Sequence, residues 1–305
     1  MHPAPSIIVF TTLSGLGYGL AAMLGLGLLD PSALPTKIAH VLSLALITAG
    51  LLSSTLHLGN PQRAWRAVSQ WRSSWLSREG VLAIAGFPLL GFNALASIWA
   101  DTYVPLTGVL GAVICAVTVY CTAMIYASLK AIQAWHTPLT PACYLAFALA
   151  GGLLLTTFFA ALSSDVSLVL ILATIVALGG AWGVKWLWWS KLDGDQPLST
   201  PASATGLGNI GIVRLFEPPH MNGNYLTREM GFSVARKHAD KLRTIAVVAG
   251  GALPALLLLI ASLAGGPLLL IAAALASLAF CLGILTERWL FFAQARHAVM
   301  NYYTG

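Results

Sequence analysis

The chain has 305 residues, 58% of them hydrophobic and only 9% charged, with a mean hydropathy of +0.81. A soluble domain carries about 25% charged residues, so this composition excludes a soluble globular enzyme and points to an integral membrane protein. The formal net charge of +6 reports which side of a bilayer the loops occupy, and it gives no ground for a nucleic-acid partner.

A helix that spans a bilayer needs about 20 apolar residues. Eight segments qualify, at about 7–29, 38–57, 80–100, 104–129, 141–162, 166–189, 244–263 and 267–286. The expected fold is all-α integral membrane, a single polytopic domain over 1–305 with eight transmembrane helices, built as two four-helix units. A long cytoplasmic loop occupies 190–243. The first segment is Gly-rich, with no basic flank before it and no small-residue cleavage site after it, so it reads as a mature helix rather than a signal.

The segment from His57 to Glu79 joins the second and third spans and concentrates four arginines, three tryptophans, a histidine and a glutamate. At 100° per residue, Trp65, Val68, Trp71 and Trp75 fall within a 120° arc. Arg63, Arg66, Gln70, Ser73 and Ser74 lie opposite, the pattern of an interfacial amphipathic helix between helices two and three. Arg72 lands on the apolar side. His57 ends one span and Glu79 begins the next, and consecutive antiparallel helices place both near one cleft at similar depth. Gly59 and Pro61 shape the tight turn between them. A histidine–carboxylate pair at the hydrocarbon boundary suits a quinone, a greasy molecule that takes two electrons and two protons. Arg63 would hold the carboxylate ionised. The alternative is that both groups cap helix ends while the arginines meet lipid phosphates.

Further along, Cys115 and Cys121 lie six apart on one helix and point to different faces, while Cys143 and Cys281 are isolated. Small buried apolar roles are expected for all four, and no metal site. Spans three to eight contain no histidine, and His40 stands on the same helix as His57, about 25 Å away. No haem is therefore expected. No Asp, Glu, Lys or Arg lies mid-span, which argues against a secondary transporter.

The loop 190–243 begins as Gly-, Pro- and Ser-rich coil and continues as a denser aromatic and charged stretch. Within it Tyr225-Leu226-Thr227-Arg228-Glu229 echoes Trp75-Leu76-Ser77-Arg78-Glu79. The echo fits either a parallel duplication of a four-helix unit or a recurring helix start with Ser77 or Thr227 as N-cap. Fifteen lysines and arginines, among them Lys185 and Arg288, fall on the side of the termini and only Lys37 on the other. Both termini are expected in the cytoplasm.

HLGNPQRAW, SWLSRE, the EPPH…NYLTREMGF…ARKHADKLR loop and the ERWLFFAQARH…NYY ending together resemble the DmsC-type anchor subunits of dimethyl sulfoxide reductase, allied to the NrfD-like anchors. The resemblance spans nearly the whole chain. It implies a haem-free bacterial inner-membrane anchor, non-catalytic alone, that exchanges electrons with ubiquinone or menaquinone. It implies a four-cluster ferredoxin-like iron–sulfur subunit as direct partner and, through it, a molybdopterin catalytic subunit. The quinone-binding residues become His57, Gly59, Arg63 and Glu79, with His57 as proton and hydrogen-bond partner and Glu79 as proton relay. Arg66, Arg72, Arg78, Arg228 and Glu229 are the candidate docking residues. The dimethyl sulfoxide reductase anchor is described with both termini outside. The charge bias here favours the related anchors of cytoplasmic sulfite-oxidising complexes instead. The alternatives are an anchor oxidising menaquinol, a secondary transporter, or a purely structural tether.

Overall fold

A computed structural model describes residues 3–56, 60–197, 199–214, 216–217 and 238–302. Among them eight helices are long and apolar enough to cross a bilayer: α1 (Pro5–Gly25), α2 (Leu34–Thr55), α3 (Trp75–Ala100), α4 (Pro105–Ala127), α5 (Leu139–Leu162), α6 (Leu168–Gly194), α7 (Ala239–Ala264) and α8 (Gly266–Ala293).

Local chemistry sets the boundaries. α1, α2, α4 and α8 carry proline in the first two positions, where its missing N–H would have had no intrahelical partner anyway. α3 starts three residues before the expected cap. Ser74, not Ser77, is the N-cap, and its hydroxyl accepts from the Ser77 N–H at 3.4 Å. α7 and α8 are joined through Gly265 and Gly266, with φ of 66° and 56°, a left-handed region that glycine enters without steric cost.

The helices form two rings. In the first, α1 packs on α2 and α4, and α3 on α2 and α4; in the second, α5 and α7 each pack on both α6 and α8. Contacts of α1 with α5 and α8, and of α4 with α5, join the rings. Small residues let the backbones meet, as expected where lipid leaves no hydrophobic gain from helix pairing. A Cβ on Gly19 of α1 would collide with the Ala148 carbonyl of α5, and one on Gly250 would stand 2.6 Å from the Trp182 ring. That second contact falls in a π-helical stretch of α7, Val248–Ala252, whose Gly250 carbonyl accepts from Trp182 Nε1 at 2.8 Å.

The interfacial element is shorter than the periodicity suggested. Pro61–Val68 is a 3-10 helix, followed by turns through residues 69–73. Three residues per turn align Trp65 with Val68, so an apolar stripe survives the change. Trp65 and Trp71 are exposed. The connection after α4 is no free loop, since Ile132, Ala134 and Trp135 are buried and Trp135 Nε1 donates to the Phe291 carbonyl at 3.0 Å.

Candidate functional site

Glu79 is the fifth residue of α3 and is 3% exposed. It begins a stripe continued by Ala83, Gly86, Leu90, Asn93 and Ser97, all buried, at the three- and four-residue spacing of one helix face. The carboxylate therefore faces the bundle. Thr122 of α4 donates its hydroxyl to Glu79 Oε1 at 2.5 Å, and the same hydroxyl lies 3.1 Å from the Thr118 carbonyl. Two buried tyrosines, Tyr18 of α1 and Tyr126 of α4, are within electrostatic range of the carboxylate. Among the described residues no cation is within ion-pair distance of Glu79.

A second polar centre lies between α6 and α8. Lys185 Nζ is 2.6 Å from Glu287 Oε1, with both side chains fully buried. Arg288 Nε is 3.3 Å from Glu287 Oε2. Aromatic faces complete the coordination of both cations. Lys185 Nζ sits 3.8 Å from the Trp188 ring centroid, and the Arg288 guanidinium 3.9 Å from that of Tyr144. Tyr144 in turn stacks on Tyr126, centroids 5.9 Å apart. A polar belt thus runs from Glu79 through Thr122, Tyr126 and Tyr144 to Arg288, Glu287 and Lys185, across five helices. An unpaired charge in so apolar a setting would cost several kcal/mol, so removing any member should be felt by the others.

The sequence placed Lys185 and Arg288 among the charges of the cytoplasmic face. They are inside the bundle: Lys185 lies within the expected span 166–189 on the buried stripe of α6, and Arg288 is drawn in because α8 continues to Ala293, past the apolar run that ended at 286. The signal was present in the stripe Ile171, Thr174, Leu178, Ala181, Lys185, Trp188 and in the stripe Ala276, Phe280, Gly283, Glu287, Leu290, where a charge takes a core position. Thr122, Tyr126 and Tyr144 had no such mark.

Of the four quinone-site residues expected, His57 and Gly59 lie outside the described residues. Arg63 is exposed on the 3-10 helix. The structure does not set its guanidinium against Glu79. Arg66 and Arg72 are exposed and Arg78 is half-buried, and all three ride on neighbouring indoles, Trp65 at 5.5 Å, Trp71 at 5.6 Å and Trp75 at 4.2 Å. Arg78 also donates to the carbonyls of Trp71 and Arg72, at 3.0 and 2.7 Å, closing the turn before α3. Arg228 and Glu229 lie outside the described residues, as does the second copy of the five-residue echo. Cys115, Cys121 and Cys143 are free and buried, and Cys281 is free and half-buried.

The model of the DMSO reductase anchor subunit (DmsC) family matches residues 1–292 of the chain. A sulfite dehydrogenase subunit of Allochromatium vinosum is 33% identical over 334 aligned positions, which cover 99% of each chain. No solved structure matches.

Proposed function

The chain belongs to the DMSO reductase anchor subunit family, and on that footing we propose that it anchors a molybdopterin oxidoreductase complex and exchanges electrons with the membrane quinone pool. The favoured branch is sulfite oxidation coupled to quinone reduction, which the full-length similarity to a sulfite dehydrogenase subunit supports. The molybdopterin and the iron–sulfur clusters belong to partner subunits, a catalytic subunit and a ferredoxin-like one. The anchor sits in the bacterial inner membrane with both termini in the cytoplasm.

One observation carries the quinone reading, the buried Glu79 carboxylate facing the bundle at the start of α3. A quinone, when bound, supplies two-electron, two-proton chemistry, and the chain's part is to hold and move the protons. Glu79 does this through a carboxylate that Thr122 orients. His57, which follows α2 in the sequence, offers the second hydrogen bond, and Arg63 and Gly59 complete the entrance. The exposed arginines at 66 and 72 and the half-buried Arg78, with Arg228 and Glu229, form the docking side for the iron–sulfur subunit.

Affinity purification of the tagged chain from mild detergent tests the assembly. Molybdenum and iron co-eluting with a pterin subunit and a cluster subunit is the expected result. A chain eluting alone and metal-free refutes it and revives the transporter reading. Glu79→Gln in the assembled complex should lower sulfite–quinone turnover by about 100-fold, the scale of a lost general acid, while the complex stays intact. Sulfite-independent turnover with dimethyl sulfoxide and menaquinol would instead select the other branch.

A further inference from the structure

A cavity of about 20 Å³ lies between α1, α4, α5 and α8, with Arg288 of the Lys185–Glu287–Arg288 cluster in its wall. Its walls include Thr12, Val119, Tyr144 and Arg288. Three buried polar atoms border it without a hydrogen-bond partner among the described residues: Thr12 Oγ1, the Tyr144 hydroxyl and Arg288 Nη1. These three residues are each at most 4% exposed. A buried polar atom left unpartnered costs about 1–3 kcal/mol, and a water needs about 10–15 Å³ and two to four polar partners. Volume and partner number both match one water molecule.

The same cavity touches α4 close to the partner of Glu79. Val119 is three residues, one helical turn, from Thr122, whose hydroxyl is bonded to Glu79, an axial offset of about 5 Å. Tyr144 is within electrostatic range of Glu79 and of Glu287 alike. On the far side, two cations face one carboxylate, so the cluster formally carries one charge more than neutrality. Handing on one proton would neutralise it.

Resting on the quinone reading above, we infer that a water held by Thr12, Tyr144 and Arg288 is a proton relay that recharges Glu79 from the Lys185–Glu287–Arg288 cluster. Glu79 gives its proton to the quinone being reduced, whose electrons come from the partner's redox centre. The water passes a proton to the Glu79 carboxylate by way of the Thr122 hydroxyl, which gives one to Glu79 as it accepts one, and the water takes a proton from the Tyr144 hydroxyl. Tyr144 regains one from the Lys185–Glu287 pair, which drops by one charge and is refilled from the cytoplasmic side. Arg288 keeps its protons throughout and orients the water.

The test uses the whole membrane complex, assayed for quinone-linked turnover in normal and heavy water. Tyr144→Phe and Thr12→Val each remove one hydroxyl that has no protein partner, so packing is kept. Each should lower kcat by about 100-fold, leave the quinone KM within twofold and raise the solvent isotope effect. Lys185→Gln combined with Glu287→Gln keeps the cluster's net charge but leaves Arg288 without its carboxylate, so it is assayed only in complex that co-purifies intact, where kcat should be equally slow. Wild-type kcat in Tyr144→Phe, or in the charge-conserving double variant, overturns the relay and leaves the cluster a structural ion pair. The two readings fail differently. If Glu79→Gln is inactive while Tyr144→Phe runs at the wild-type rate, the relay alone is wrong; if Glu79→Gln also runs at that rate, the quinone site is wrong as well.

Discussion

Thr122 shows how much a single hydroxyl can decide in an apolar bundle. It is the donor to Glu79, and a hydrogen bond to a charged group is worth about 1.5–3 kcal/mol. Thr122→Val keeps the volume and removes the donor, so it should lower the thermal midpoint of the purified complex and slow quinone-linked turnover. Thr122→Ser keeps the donor and should do neither; equal loss in both variants would mean that packing, not the hydrogen bond, is what matters. Glu79 was legible as a candidate because a carboxylate beside an arginine-rich turn stands out in so uncharged a chain, and the structure shows only that it is buried and faces the bundle. Its partner was not. A threonine in a transmembrane helix usually bonds its own backbone, as Thr118 and Thr156 do here, and no local pattern tells apart one that also reaches across to another helix. Lys185 and Arg288 were misjudged for different reasons: Lys185 was counted by sign although it lay inside an expected span, and Arg288 fell past the end of a hydropathy window, which stops where charges begin, whereas helices end where hydrogen bonding does.

At the scale of elements, eight helices followed directly from apolar length, because lipid forces the backbone to satisfy itself within each span. The details that escaped were those set by contacts between elements. The stretch after His57 carries a helical stripe, yet Pro61, a following turn and the arrest of the chain by Arg78 leave it 3-10 rather than α. Close approach between α1 and α5 also had no signature beyond a glycine-rich first span. That approach yields a prediction. At Gly19 an added methyl meets the Ala148 carbonyl and the Gly152 backbone, which cannot step aside as a side chain would. Gly19→Ala should therefore destabilise by about 1–3 kcal/mol, the usual cost of overpacking. At Gly179, by contrast, a Cβ meets nothing within 4 Å, and Gly179→Ala should be neutral or stabilising. Detergent-solubilised thermal unfolding of the two variants checks this; equal midpoints would remove the α1–α5 crossing as the joint between the rings.

For the whole molecule, the orientation rests on charge, and the structure alters that count without reversing it. Lys185 and Arg288 are buried and no longer speak for a surface, but the remaining thirteen cations on the termini side still face one on the other. That one, Lys37, is spent on Asp101 in an ion pair of 2.6 Å at the start of α2 and the end of α3. The face that bears Asp30, Asp101 and Asp165 thus offers almost no free positive charge, which is what the positive-inside rule requires of a translocated side. A fluorescent protein fused after Gly305 should be bright, and alkaline phosphatase at the same place inactive, while phosphatase inserted beside Asp165, between α5 and α6, should be active. The reverse pattern would put arginines 66, 72 and 78 outside the cell and move the proposed docking face with them. The whole polar belt would follow, since Glu79 at the start of α3 and Glu287 near the end of α8 lie at the same face of the bundle. Proton supply from the cytoplasm, and with it the direction in which turnover could move charge, therefore stands or falls with this one determination of sidedness.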